Sequence, residues 1–305
     1  MAGVFDDGTD GGGTTAENVA RRPPAWLNGL VIRYRGYRTP CPRPLKVMLP
    51  SARVALLLGW GDPVIVHGDR TGGTDRAHRY AMVAGLRTDP LLAGFPGAGY
   101  AIEVEFTPMG AHRCLGLPVH HLTGAVPDPD DVLGPGWTAR TTERLAGASR
   151  WEDRWAVLDA ALASRMADAP VVAPLAAEAW HLLWSRHGAL SVGELCRFTG
   201  RGNRRLQAVF RESVGIPPQS LARVIRFQYA LKYPAGQYRS LAELAALCGY
   251  HDQAHMNRDF RALSGHTPGR LLALTRDRRA APGPRACMSD FFTEMTAGLP
   301  GSLPS

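Results

Sequence analysis

Two clusters of Arg, Gln and Asn, about fifty positions apart, carry the side chains best suited to chemistry in this chain. Arg204, Gln207 and Ala208 make the first; Gln253, Ala254, Asn257 and Arg258 make the second. Gln and Asn pair bidentately with adenine and Arg with guanine, each good contact giving about 1–3 kcal/mol of discrimination against a wrong base. The chemistry is therefore the reading of base edges in double-stranded DNA. Arg201, Arg205, Arg211 and Arg261 flank these clusters and suit phosphate contacts, which fix register and orientation without specifying sequence. Arg223 and Arg226 suit either phosphates or ion pairs within the protein.

The elements that must hold these side chains repeat. Leu206, Phe210, Arg211, Gly215 and Pro218 recur as Met256, Phe260, Arg261, Gly265 and Pro268, while Ser191, Leu195 and Gly200 recur as Ser240, Leu244 and Gly249. The second set is offset by one residue less than the first, a difference that the turn after the glycine can absorb. In the first copy the spacing predicts a scaffold helix over 192–198, a turn at Gly200-Arg201-Gly202, and a recognition helix over 203–212 that buries Leu206, Val209 and Phe210. In the second it predicts a scaffold helix over 241–247 and a recognition helix over 252–263 that buries Met256, Phe260 and Leu263. Asp252, at the first turn, complements the helix dipole. Pro217 and Pro218 start a connecting helix over 219–233 that Pro234 ends, and at 1.5 Å per residue it spans roughly 22 Å. A further helix over 175–186 precedes the repeats. Two helix–turn–helix modules on one rod suit two adjacent major-groove segments.

Charge supports this reading. The 305 residues carry a formal net charge of +8, yet residues 186–279 hold 16 basic and 6 acidic side chains against 19 and 21 elsewhere. The positive excess thus sits wholly in the duplicated segment, where phosphates would be neutralised. The five cysteines (41, 114, 196, 248 and 287) form no CxxC pair, so neither a disulfide framework nor a zinc site is expected, and a reducing cytoplasm is the simplest compartment. The start of the chain has no secretory-signal pattern, and no apolar run nears the ~20 residues needed to cross a bilayer, so no membrane partner is expected.

Upstream the chain is punctuated by Gly and Pro. Short runs at 54–58, 64–67, 81–86 and 101–107 predict strands of a small β-rich barrel or sandwich, a cupin-like barrel being one form of it. The expected fold class is α+β and multidomain. Its parts are a disordered tail over 1–24, a β-rich sensor or dimerisation domain over 25–148, a linker helix over 149–173, an all-α domain with two joined helix–turn–helix modules over 174–279, and a flexible tail over 280–305, where 291–295 can dock locally. The linker helix puts Trp151, Trp155, Leu158 and Leu162 on one face, to cover the β domain, join the domains, or pair two subunits.

Other features of the N-terminal half have duller readings. His67, His112, His120 and His121 lack metal-ligand spacing, and His120 and His121 would point to opposite faces of a strand. Trp60, Tyr100 and Phe106 are candidates for an effector pocket, although aromatics in a small β domain are more often core. Glu103 and Glu105 share a strand face opposite Ile102, Val104 and Phe106, and read as a solvated face rather than a catalytic pair. Gly59-Trp60-Gly61 and Gly97-Ala98-Gly99 read as turns. No catalytic residue, metal site or cofactor is expected, and Cys41 and Cys114 give no support to a repair methyltransferase.

The stretch Gly249-Tyr250-His251-Asp252-Gln253-Ala254-His255-Met256-Asn257-Arg258-Asp259-Phe260-Arg261, followed by Ser264-Gly265-His266-Thr267-Pro268, resembles the signature of the AraC/XylS family of bacterial transcription regulators. The first repeat matches that family's less regular module. The resemblance covers about a hundred residues. It implies a sequence-specific, non-enzymatic regulator that binds an asymmetric site, with base-reading faces on the seven residues of the two opening clusters. Ala208 stands where many members carry Arg, so the first module would lean on Arg204 or a thymine-methyl contact, and Gly202 replaces the usual Ser cap. The segments 103–110 and 115–118 resemble, more weakly, the family's β-rich sensor domains. That implies a small-molecule effector, a homodimer, or both, with RNA polymerase as a further partner. The alternatives are an N-terminal domain that only dimerises or binds a protein partner, and a β-barrel enzyme or DNA-repair methyltransferase targeted by the helices.

Overall fold

The computed structural model describes residues 16–40, 46–67, 77–94, 98–166 and 169–280. The expectations for Cys41, Cys287, the far N-terminus and the tail beyond residue 280 lie outside the described residues.

The strands come first: β1 (Glu17–Arg21), β2 (Val31–Thr39), β3 (Lys46–Met48), β4 (Val54–Gly61), β5 (Val64–His67), β6 (Ala77–Arg79), β7 (Ala81–Ala84), β8 (Leu91–Gly94) and β9 (Gly99–Phe106). One antiparallel sheet has the order β1-β2-β9-β4-β7 and the other β3-β8-β5-β6. Tyr37, Leu57, Met82 and Ala101 of the first sheet pack with Met48, Val64, Val66 and Leu91 of the second, so the two face each other as a sandwich. The opposite face of the first sheet, with Tyr34, Leu56, Val83, Ile102, Val104 and Phe106, packs against helices. The central strands are therefore covered on both sides.

This layering corrects the reading of Glu103 and Glu105. Neither faces water: they are 0% and 1% exposed. They lie inside the sandwich beside three guanidinium groups, with Glu105 paired to Arg33 and Arg53 and Glu103 accepting from the Tyr37 hydroxyl at 2.9 Å. Buried charges are tolerated when they are paired, and here both carboxylates have cationic or hydroxyl neighbours. Burial, reinforced by the charge of Glu105, pushes Glu103 up to about 8. Burial also acts on Glu105, but Arg53 and Arg33 outweigh it and hold that carboxyl below its ordinary range.

Three further expectations are corrected. The tail assigned to 1–24 contains β1, which pairs in register with β2 from Glu17↔Arg38 to Arg21↔Tyr34 and is pinned by Trp151 Nε1 donating to Glu17 at 2.8 Å. Gly59-Trp60-Gly61 is no turn but the end of β4, paired with β9. His120 and His121 lie in a 3-10 helix, Val119–Leu122, with ring centroids 4.1 Å apart rather than on opposite strand faces.

The β region also ends earlier than residue 148. Helices follow from Thr107, whose hydroxyl caps α1 (Pro108–Leu115), then α2 (Pro129–Leu133), α3 (Trp137–Gly147) and α4 (Trp151–Met166). Of its three expected roles, α4 takes the first and covers the sheet. Trp155 stacks on Tyr34, and Trp151 sits so close to β2 that a Cβ at Gly36 would fall 2.2 Å from its ring. Only glycine fits there. No helix among the described residues is long and apolar enough to cross a membrane.

Candidate nucleic-acid interface

The remaining helices are α5 (Pro174–Ser185), α6 (Val192–Thr199), α7 (Asn203–Ser213), α8 (Pro218–Lys232), α9 (Leu241–Leu247), α10 (Gln253–Ser264) and α11 (Pro268–Ala280). The sequence spacing anticipates α5 to α10 within one or two residues at each end, whereas α11 had no individual assignment.

Local chemistry explains the starts and stops. Ser191 and Glu194 form a reciprocal capping box at α6, and the Ser191 N–H and hydroxyl hold the Glu194 carboxyl below its ordinary range. Gly200 ends that helix in the left-handed region. In the second module Ser240 caps α9, accepting from Glu243 N at 3.1 Å. Asp252 does more than complement a dipole: it is the N-cap of α10, accepting from His255 N at 2.6 Å, and that bond lowers its carboxyl. The equivalent position of α7 is Gly202, which offers no side-chain cap.

Each second helix divides into two faces. On α7, Leu206, Val209 and Phe210 are buried, while Arg204 and Ala208 are exposed and Gln207 is half-buried, donating to Asn203 at 3.3 Å. On α10, Met256, Phe260 and Leu263 are buried, while Gln253, Ala254 and Arg258 are exposed and Asn257 is half-buried. Arg201, Arg205, Arg211 and Arg261 are exposed as well, and among the described residues none of them forms an ion pair.

Arg223 and Arg226 are different. Of the two roles open to them, the structure gives ion pairing: Arg223 Nε meets Asp259 at 2.6 Å, and Arg226 approaches the same carboxylate at 3.9 Å. Arg226 also lies 4.9 Å over the Tyr250 ring and donates to Gly249 O at 3.3 Å. His255 Nε2 stands 3.7 Å from Asp259. This cluster fastens α10 to α8, beside the edge contact of Phe227 with Phe260 at 4.8 Å. Asp259 was missed as a positioning residue. Its place between the outward Arg258 and the buried Phe260 left its direction open in the sequence.

The first module is fastened elsewhere. Its α7 packs against α1 and the 3-10 helix of the N-terminal half. Thr123 Oγ1 donates to Gly215 O at 3.1 Å, and Gln228 of α8 donates to Pro50 O at 3.2 Å. Arg53, paired to Glu105 inside the sandwich, lies 5.3 Å over the Trp184 ring of α5.

The three expected effector-pocket residues do not surround one cavity. Trp60 stacks on Tyr100 at 5.5 Å, and Arg154 caps both rings from α4. Phe106 lies wholly in the core at the far end of β9. The residues bordering the cavity found among the described residues include none of these three.

A family model described as a helix-turn-helix domain matches residues 195–273. No curated protein matches the chain. Among solved structures, the transcriptional regulator with an AraC-type DNA-binding domain from Chromobacterium violaceum is similar at 24% identity, over 36% of this chain and 96% of that one, with a TM-score of 0.30. The C-terminal domain of AraT, a response regulator from Geobacillus stearothermophilus, is similar at 18% identity over 34% and 88%, with a TM-score of 0.32. ToxT from Vibrio cholerae is similar at 9% identity over 79% and 96%, with a TM-score of 0.43. The matched segment, residues 195–273, holds both repeated modules, and the chain therefore carries a helix-turn-helix domain in its C-terminal half.

Proposed function

We propose that α7 and α10 enter successive major-groove segments, with Arg204, Gln207 and Ala208 reading one and Gln253, Ala254, Asn257 and Arg258 the other. Arg201, Arg205, Arg211 and Arg261 hold the phosphates on either side. The observation that carries this reading is the two-faced character of both helices: each buries an apolar stripe in its own module and leaves its Arg and amide side chains on the surface. Side chains that serve only solubility would not need a buried scaffold that repeats so closely. Arg258→Ala tests the assignment directly. Titrations on an operator and its single-base variants should show discrimination reduced at one base position, by about 1–3 kcal/mol, with nonspecific binding retained. A uniform loss on every sequence would make Arg258 a phosphate contact instead.

The second part of the proposal is that the N-terminal domain senses a small molecule and transmits its state to the first module. The support is mechanical. The apolar core runs without a break from the β sheet through α4 and α5 to α7, and Thr123 and Arg53 bridge the same boundary. A ligand with different affinities for two arrangements of that boundary would bias DNA binding by the difference between them.

A further inference from the structure

Aligned through Phe210 and Phe260, the surface faces of α7 and α10 hold the same residue types at matching positions, but in exchanged order. In α7 the dipeptide Asn203-Arg204 occupies the first turn and Gln207-Ala208 the next. In α10 Gln253-Ala254 occupies the first turn and Asn257-Arg258 the next. The fold gives matching positions matching exposure. Asn203 and Gln253 are exposed, as are Arg204 with Ala254 and Ala208 with Arg258, while Gln207 and Asn257 are both half-buried. Beneath them Leu206 and Phe210 of one helix correspond to Met256 and Phe260 of the other, all buried. Two reading units, Asn-Arg and Gln-Ala, are thus presented from equivalent places with their order reversed.

The units make different demands on DNA. Asn pairs bidentately with adenine and Arg with guanine, so Asn-Arg suits a block with one A·T and one G·C pair. Gln pairs with adenine and Ala packs on a thymine methyl, so Gln-Ala suits A·T pairs alone. In α7 the units also brace each other. Gln207 Nε2 donates to Asn203 Oδ1 at 3.3 Å, which orients the Gln207 amide and leaves its oxygen and second N–H for a base. Units one turn apart are separated by about 6 Å along the axis, or roughly two base pairs at about 3.4 Å each. Resting on the base-reading role proposed above, we infer that the two groove segments carry the same two blocks in opposite order relative to the helix that reads each. The block containing G·C lies at the start of α7, and one turn further along α10. Asn203 thereby joins the reading face as half of the Asn-Arg unit.

Reversed order has a use. Two modules with one order would fit two copies of the same segment, and either module would accept the other's place. With opposite orders, a module set on its neighbour's segment puts Arg against A·T pairs and Gln-Ala against the block containing G·C. Both units are then mismatched at once, so the site itself fixes which module takes which segment.

The test uses the full-length protein and selection from random duplex DNA. The single variants Arg204→Ala and Arg258→Ala first locate the guanine under each helix. A block exchange in α7, combining Asn203→Gln, Arg204→Ala, Gln207→Asn and Ala208→Arg, gives that helix the order of α10. It should move the α7 guanine by about two base pairs and leave the α10 cluster unchanged. In competition titrations the exchanged protein should prefer the duplex with the moved guanine by about tenfold, where the parent prefers the original by a similar factor. The smaller exchange Arg204→Ala with Ala208→Arg should move the guanine in the same way. It places two good helix formers at exposed positions, so the fold is retained. A guanine that stays in place, or an α7 cluster that loses its guanine in a variant melting like the parent, would overturn the inference. The base-reading role fails separately, if neither single variant relaxes any base position. Single variants that each relax one position, beside an exchange that moves nothing, leave that role standing and remove the reversed order.

Discussion

The two helix–turn–helix modules share a plan but are held in place by different means. The second is self-contained: Asp252 caps α10, and Asp259 joins it to Arg223 and Arg226 of the connecting helix. The first has a glycine in place of the cap, and its α7 leans on α1 and the 3-10 helix of the other half of the molecule. Polar fastening to α8 gives the second module, among the described residues, no direct contact of its recognition helix with the upstream half. Packing across a boundary makes geometry conditional on that boundary. Under the proposed sensing role, the first module, in direct contact with the upstream half, is the one through which an upstream event would act on DNA binding, and the second would follow only through α8.

The largest expected effect strikes the boundary. Gly215 has φ +88°, and a Cβ there would fall 2.4 Å from Thr123 Oγ1 and 2.9 Å from Val119 O. Gly215→Val should cost about 3 kcal/mol by thermal unfolding, and base recognition by α7 should suffer more than that by α10. An equal loss at both modules would erase the proposed asymmetry. Asp259→Ala should come next, at about 2 kcal/mol in urea unfolding, because it leaves Arg226 and Arg223 without their carboxylate. The figure stays below that for a fully buried pair because the Arg223 side chain is 34% exposed. Its footprint should fail over the α10 half of the site and survive over the α7 half.

The caps give the smallest effects, with opposite signs. Asp252→Ala should lower the melting temperature at neutral pH. The carboxyl of Asp252 lies below its ordinary 3.8 in the folded protein, held there by the His255 N–H, so its stabilisation is present above that value and disappears as pH falls through the folded value. Parent and variant melting curves should therefore converge in acid. Gly202→Ser should instead stabilise α7, by roughly a few tenths of a kcal/mol. If Gly202→Ser also weakens any dependence of DNA binding on the upstream half, the missing cap contributes to the conditional behaviour of the first module.

Much of the C-terminal half was legible in the sequence because its determinants are local. Ser191 with Glu194, the glycines at 200, 249 and 265, and the prolines at 218 and 268 act within one or two turns of where they sit. The N-terminal half depends on partners far away in sequence. The run Arg33-Tyr34-Arg35-Gly36-Tyr37-Arg38 looks too charged for a central strand, yet it is β2, because Glu103 and Glu105 lie opposite on β9, about seventy positions later. The alternation of Arg in one segment and Glu in the other was the available signal. It needs a pairing hypothesis before it can be read. Trp60 and Tyr100 are cross-strand partners, a pairing the spacing alone does not reveal, and Phe106 lies six residues further along the extended strand, roughly 20 Å away.

The most direct measurement is selection of bound sequences from random duplex DNA by the full-length protein, repeated with Arg204→Ala and with Arg258→Ala. Two clusters of specified base pairs about one helical turn apart are expected, with each variant relaxing positions in only one of them. A single cluster, or one variant relaxing both, would contradict a regulator that reads two groove segments with two separate helices.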